Sequence, residues 1–97
     1  MGKIKEINLR EDKTKDNSSY LDAKIDDQEN LVMEGYDIGK SPEEFWGDDD
    51  YEYWVVVQKE YKDTILLWLL KEHFRTSTDF MNWLKIKNIP YEFSSWV

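Results

Sequence analysis

The run Tyr51-Glu52-Tyr53-Trp54-Val55-Val56-Val57 limits the fold of this chain more than any other stretch. Its aromatic and β-branched side chains suit a pleated, half-covered sheet surface. With period two, Tyr53, Val55 and Val57 share one face, and Glu52, Trp54, Val56 and Gln58 share the other. The uncharged face is the expected core face, which leaves Trp54 opposite it. Ahead of this strand, Pro42 fits a first helical turn with Ser41 as its cap. Glu43 and Glu44 there favour the positive end of the helix dipole. Ser41 to Trp46 is therefore expected to form a short helical turn. Gly47 ends it, and Asp48, Asp49 and Asp50 make a solvated bend.

The same alternation recurs upstream. Leu21, Ala23 and Ile25 face one way while Asp22, Lys24 and Asp26 face the other. Leu31 and Met33 then alternate with Val32, Glu34 and Tyr36, so two strands joined by a turn at 27–30 predict a β-hairpin. Gly35 inside the second strand predicts a bulge or the close approach of an aromatic ring. At the N-terminus, 3–9 reads as a strand and 10–19, all polar or charged, as a flexible loop.

Beyond the third strand the period changes to that of a helix. From Lys59 to Phe74, the residues Tyr61, Ile65, Trp68, Leu69 and Glu72 trace one stripe, with Leu66, Leu70 and Phe74 beside it. Leu69 is expected to be buried in that stripe. Ser77 or Thr78 is the expected cap of a second helix through Lys87, with Phe80, Met81 and Leu84 inward. Asn88 suits its C-terminus and Pro90 prevents continuation. Residues 91–97 alternate well enough to predict a last strand. The expected fold is thus α+β: an antiparallel sheet of about four strands with two helices on one face, in the order β-β-β-α-α-β. Residues 1–19 form a flexible or edge-strand segment, and residues 20–97 a single α+β domain.

Charge narrows the partners. The net charge is −8, and twelve acidic residues stand against two basic ones between Tyr20 and Glu52, a local balance of −10. Such a surface repels nucleic-acid phosphate and attracts a basic protein. The chain has no cysteine, which excludes a disulfide framework and suits a reducing cytoplasm. The start, Met1-Gly2-Lys3-Ile4-Lys5-Glu6, lacks an apolar signal-peptide core. The longest apolar run, Ile65 to Leu70, falls well short of the ~20 residues that span a bilayer. A cytoplasmic protein without membrane or nucleic-acid contact is the expectation.

Three stretches carry a resemblance. Leu31-Val32-Met33-Glu34-Gly35-Tyr36-Asp37-Ile38-Gly39, Glu44-Phe45-Trp46-Gly47-Asp48-Asp49-Asp50-Tyr51-Glu52-Tyr53-Trp54 and Ile89-Pro90-Tyr91-Glu92-Phe93 resemble a group of small, uncharacterised bacterial proteins. The likeness covers residues 20–97. It implies a bacterial-type cytosolic domain and brings no catalytic residues with it. By size, acidity and α+β pattern the chain is also similar to immunity proteins of bacterial toxin systems.

The candidate sites follow. Asp48, Asp49, Asp50 and Glu52 offer oxygens to a cation, yet they lack the spacing and glycine of a calcium loop, so a solvated or partner-binding loop is the better reading. His73, the single histidine, sits where a cation suits a helix end, and no nucleophile pattern accompanies it. Of Trp46, Trp54, Trp68, Trp83 and Trp96, most are expected in the core, with Trp54 the exception. An exposed Trp54 ringed by carboxylates would anchor a partner inside an acidic rim. The expectation is a non-catalytic protein, without cofactor or metal, that engages a basic protein such as a toxin. Glu43, Glu44, Asp48, Asp49, Asp50, Glu52 and Trp54 are its binding residues. The alternative is a small housekeeping domain acting through homo-oligomerisation or a small-molecule pocket.

Overall fold

The computed structural model of the protein describes residues 3–15, 17–38 and 50–96. The chain divides into two compact units, Ile4–Lys62 and a second made of Met1–Lys3 with Asp63–Val97. The first is a four-stranded antiparallel sheet of β1 (Glu6–Lys13), β2 (Ser18–Ile25), β3 (Leu31–Ile38) and β4 (Asp50–Val57), ordered as in the sequence. The second holds two helices, α1 (Lys62–His73) and α2 (Ser77–Ile86). The chain is α+β, as its patterning predicts.

The hairpin forms where the alternation places it. Asp26 closes its turn: one carboxylate oxygen accepts from the Gln28 and Asn30 backbone N–H groups at 2.9 and 3.0 Å. Glu29 takes a left-handed φ of 68° in that turn. Asn30, buried, then reaches out of the hairpin, its Oδ1 accepting from the Lys59 N–H at 2.9 Å. That bond occupies a backbone donor at the start of the 3₁₀ turn Lys59–Tyr61 and ties the exit of β4 to the β2–β3 turn. The pairing of β3 with both neighbours runs without a shift, so Gly35 does not sit in a bulge. Its partner is Tyr53, whose ring occupies the space a Cβ at Gly35 would fill.

Residues paired across antiparallel strands project to the same side. The register therefore sorts the sheet into two faces. One is largely apolar, with Ile7, Ala23, Ile25, Leu31, Met33, Val55 and Val57 at one end. At its other end Arg10, Ser19 and Asp37 are hydrogen-bonded in line, the Ser19 hydroxyl donating to Asp37 at 2.7 Å. The opposite face carries Glu6, Asn8, Asp22, Lys24, Glu34, Glu52, Trp54 and the buried Val32.

Two expectations about the sheet are overturned. The loop expected over 10–19 is mostly strand: Arg10–Lys13 belong to β1 and Ser18–Ser19 to β2. As an edge strand exposed along its whole length, β1 needs no apolar alternation to form. It is bent by a bulge between Asn8 and Arg10, where the Asn8 amide donates to Asp22 at 2.7 Å and to the Arg10 carbonyl at 3.2 Å. The strand expected at 91–97 is missing over 91–96, so the fourth strand comes from the N-terminal segment instead. The order is β-β-β-β-α-α. The helical turn expected at Ser41–Trp46 lies outside the described residues.

The expected helix from Lys59 opens with the 3₁₀ turn, still in the sheet unit, and α1 proper begins at Lys62. Thr76, rather than Ser77 or Thr78, caps α2, its Oγ1 accepting from the Asp79 N–H at 3.0 Å. The end of α2 follows its sequence signals. Asn88 adopts a left-handed φ of 59°, and the N–H groups of Asn88 and Ile89 donate to the Lys85 and Leu84 carbonyls at 3.1 and 2.9 Å. This is the 5→2 and 6→1 bonding of a Schellman stop. The helices meet through rings: Phe74 lies 5.2 Å from Phe80 and 5.8 Å from Trp83, centroid to centroid. Leu84 is the buried side chain there, at 8% exposure, whereas Leu69 is 56% exposed. The expected burial of Leu69 is thus incorrect; α1 is apolar on several sides, and its half-buried apolar residues are Ile65 and Leu70, with Phe74 just after its end. No described helix is long and apolar enough to cross a membrane.

Candidate functional site

Of the residues expected to bind a partner, Glu52 and Trp54 are fully described. They stand two apart on β4, and both are exposed. The register sets Trp54 against Glu34 and Glu52 against Tyr36 on β3, so four side chains share one face. Across β3, Asp22 of β2 pairs with Glu34 and extends the row to Asp22, Glu34 and Trp54. Trp54 is 54% exposed, and no ring contact holds it among the described residues. An exposed indole bordered by carboxylates is suited to stack on, and be ringed around by, a cationic side chain.

The charges around it are unequally engaged. Glu34 pairs with Lys24 at 3.3 Å, both side chains more than a third exposed, so the pair contributes little to stability. The Asp22 carboxylate accepts from Asn8. Glu52 has no ion pair among the described residues and keeps its charge open to solvent. The face as a whole is acidic: Glu6, Glu11, Asp22, Glu34 and Glu52 stand against Lys13 and Lys24. The acidity belongs to one unit of the chain. Ile4–Lys62 contains seventeen acidic and eight basic residues, whereas Asp63–Val97 contains four of each.

Glu43, Glu44, Asp48 and Asp49 lie outside the described residues; Asp50 begins β4, paired with Ile38. Sequence reasoning missed Glu34, Tyr36 and Asp22 as neighbours of Trp54. The hairpin alternation does put Glu34 and Tyr36 on one side, but only the β3–β4 register brings them beside Trp54. Among the described residues no group of three or more His, Asp or Glu is placed to hold a metal ion.

The tryptophans depart from expectation as a set. Trp54, Trp68 and Trp96 are more than half exposed, and Trp83 alone of the four described is half-buried. Trp46 lies outside the described residues. Trp68 carries the Lys71 ammonium 5.3 Å from its ring centre, and Trp83 the Lys87 ammonium at 6.0 Å. A concave feature lies within the helical unit. Leu66, Leu69, Leu70, His73, Phe74 and Trp83 are among the residues lining an open, apolar groove of about 520 Å³. Its volume and lining suit a small apolar ligand.

Comparison with known proteins found no matching family model, no similar curated protein and no similar solved structure.

Proposed function

We propose that the protein is a non-catalytic binding protein whose acidic sheet engages a basic protein partner. The observation that carries this reading is Trp54: more than half exposed, opposite Glu34 and next on its face to Glu52, which has no ion pair among the described residues. An aromatic anchor supplies apolar contact area, and the carboxylates around it select a cationic surface and speed encounter. The acidic residues Glu43, Glu44, Asp48, Asp49 and Asp50, which precede Tyr51 in the sequence, belong to the same interface in this reading, with the protein in the cytoplasm. A toxin-neutralising immunity protein of a bacterium is its concrete form. Affinity capture with the wild type and a Glu52→Lys/Trp54→Ala variant tests it. A basic protein retained by the wild type and lost by the variant is the expected result. Equal retention by both would remove the interface from this face.

The groove between the helices supports a second reading, a small housekeeping domain with an apolar small-molecule pocket. Under that reading an apolar fluorophore such as anilinonaphthalene sulfonate binds the native protein. Leu66→Glu, set at the groove wall, would then abolish the signal while leaving capture of a basic protein unchanged.

A further inference from the structure

The two edges of the sheet are built differently. β1, at one edge, carries five charged residues among eight and a bulge, the usual devices against pairing with another chain. β4, at the other, pairs only with β3 among the described residues and has no charge from Tyr53 to Val57. Trp54, Val55 and Val56 are each more than half exposed, although they occupy both faces of that strand. A long, regular, apolar edge whose outer backbone groups have no partner among the described residues is a template for another strand.

The order of residues on β4 selects the occupant. Its charged end is Asp50–Glu52 and its apolar end Tyr53–Val57, so an antiparallel copy brings the two apolar ends together and keeps the acidic ends apart. A two-fold axis normal to the sheet preserves faces, so each residue must meet one of its own face. Centring that axis on Val55 sets Val55 against Val55, Trp54 against Val56 and Tyr53 against Val57 of the second copy. Glu52 then meets Gln58, and no like charges are opposed. Moving the centre to Tyr53 would set Glu52 against Trp54 and Tyr51 against Val55, losing uncharged pairs. Aromatic and β-branched residues are favourable cross-strand partners.

We propose that β4 pairs antiparallel with β4 of a second copy about Val55, joining the two sheets into one of eight strands. This pairing does not rest on the basic-partner reading, since it uses the edge of β4 and not its acidic face. It sets the two acidic faces side by side, with both Trp54 side chains on the same surface.

The test uses mass and cross-linking, with no partner present. Wild-type protein is expected to sediment at twice its 11.8 kDa chain mass, and Val55→Lys, which opposes two ammonium groups on the axis, as a monomer with an unchanged far-ultraviolet spectrum. The chain has no cysteine, so Val55→Cys gives a single thiol. Paired strands hold opposed Cα atoms about 4.5–5.5 Å apart, within disulfide reach. Mild oxidation should therefore cross-link Val55→Cys and leave Ile7→Cys, on the charged edge, uncrossed. A wild type that is monomeric at every concentration tested would overturn the pairing. So would a Val55→Cys chain that cross-links no faster than Ile7→Cys. The cysteine pair decides the matter even if Val55→Lys does not fold.

Discussion

Tyr53 lies over Gly35, its cross-strand partner, so closely that a methyl group at Gly35 would overlap Cζ, Cε2 and Oη of the phenol ring. The glycine is buried and lets the ring come close to the backbone of β3. This pairing locks β3 to β4 in one register, because a slip of one residue would move Tyr53 to the other face. The same register is what brings Trp54 against Glu34.

Gly35→Ala should therefore destabilise the sheet. Displacing the end of the Tyr53 ring in this way should cost about 1–3 kcal/mol, as overpacking commonly does. In a Tyr53→Ala background the same substitution should be neutral or stabilising by about 0.5–1 kcal/mol, since alanine replaces glycine in a strand without a clash. Urea unfolding of the four members of the cycle measures the difference. Additive effects would mean that the ring does not rest on Gly35.

Asn30 is a second lock. Asn30→Ala leaves the Lys59 N–H without its acceptor and should cost about 1–3 kcal/mol, the usual penalty for stranding a partly buried donor. Asn30→Asp keeps an acceptor oxygen at the same place and should retain most of the lost stability. Equal losses in both variants, read from urea midpoints, would show that the amide acts through something other than this bond.

The helical unit yields a contrast between two leucines. Leu84→Ala should cost about 2–4 kcal/mol, because it empties the one buried apolar position among the described residues of that unit. Leu69→Ala should cost under about 1 kcal/mol, because more than half of that side chain already meets solvent. The reverse order in thermal or urea unfolding would show Leu69 to be the buried member of the pair.

Asn88 tests the stop of α2. Its left-handed φ of 59° suits asparagine and glycine. Asn88→Ala should lose about 1 kcal/mol from the strained backbone, whereas Asn88→Gly should be close to neutral. Similar losses in the two variants would assign the effect to the amide side chain instead.

If the acidic face binds a basic partner, charge reversal at Glu52 should act mainly on encounter. Glu52→Lys should slow association and flatten its dependence on salt, with a smaller change in dissociation. Trp54→Ala should do the opposite and raise the dissociation rate, as loss of an anchor does. Stopped-flow association at two ionic strengths separates the two, and unchanged rates for both variants would exclude this face.

Much of this chain could be read without its structure, wherever a signal was local. The alternation of Leu21–Ile25 and Leu31–Tyr36 around a polar turn specifies a hairpin through contacts a few residues apart. Gly35 announces either a bulge or a close approach, since a glycine weakens a strand interior, and the unshifted register and the Tyr53 ring decide for the second. Asn88 and Pro90 announce a helix end because only certain residues tolerate that backbone. In the candidate site, the shared face of Glu52 and Trp54 is also local, set by two-residue spacing on one strand.

What remained hidden depends on which segments meet. Charged and exposed, β1 has the composition of a loop; its strand character lies in backbone hydrogen bonds to β2, which side-chain patterning does not encode. Residues 91–96 alternate as a strand would, yet alternation alone supplies no neighbour to bond with. The helix α1 is apolar on too many sides for its period to single out Leu70, half-buried, over Leu69, exposed; packing decides that. Glu34, Tyr36 and Asp22 join Trp54 only through the register of three strands, and that register is a tertiary property. It is set where the Tyr53 ring rests on Gly35 and where Asn30 holds Lys59, both pairings between residues far apart in the chain.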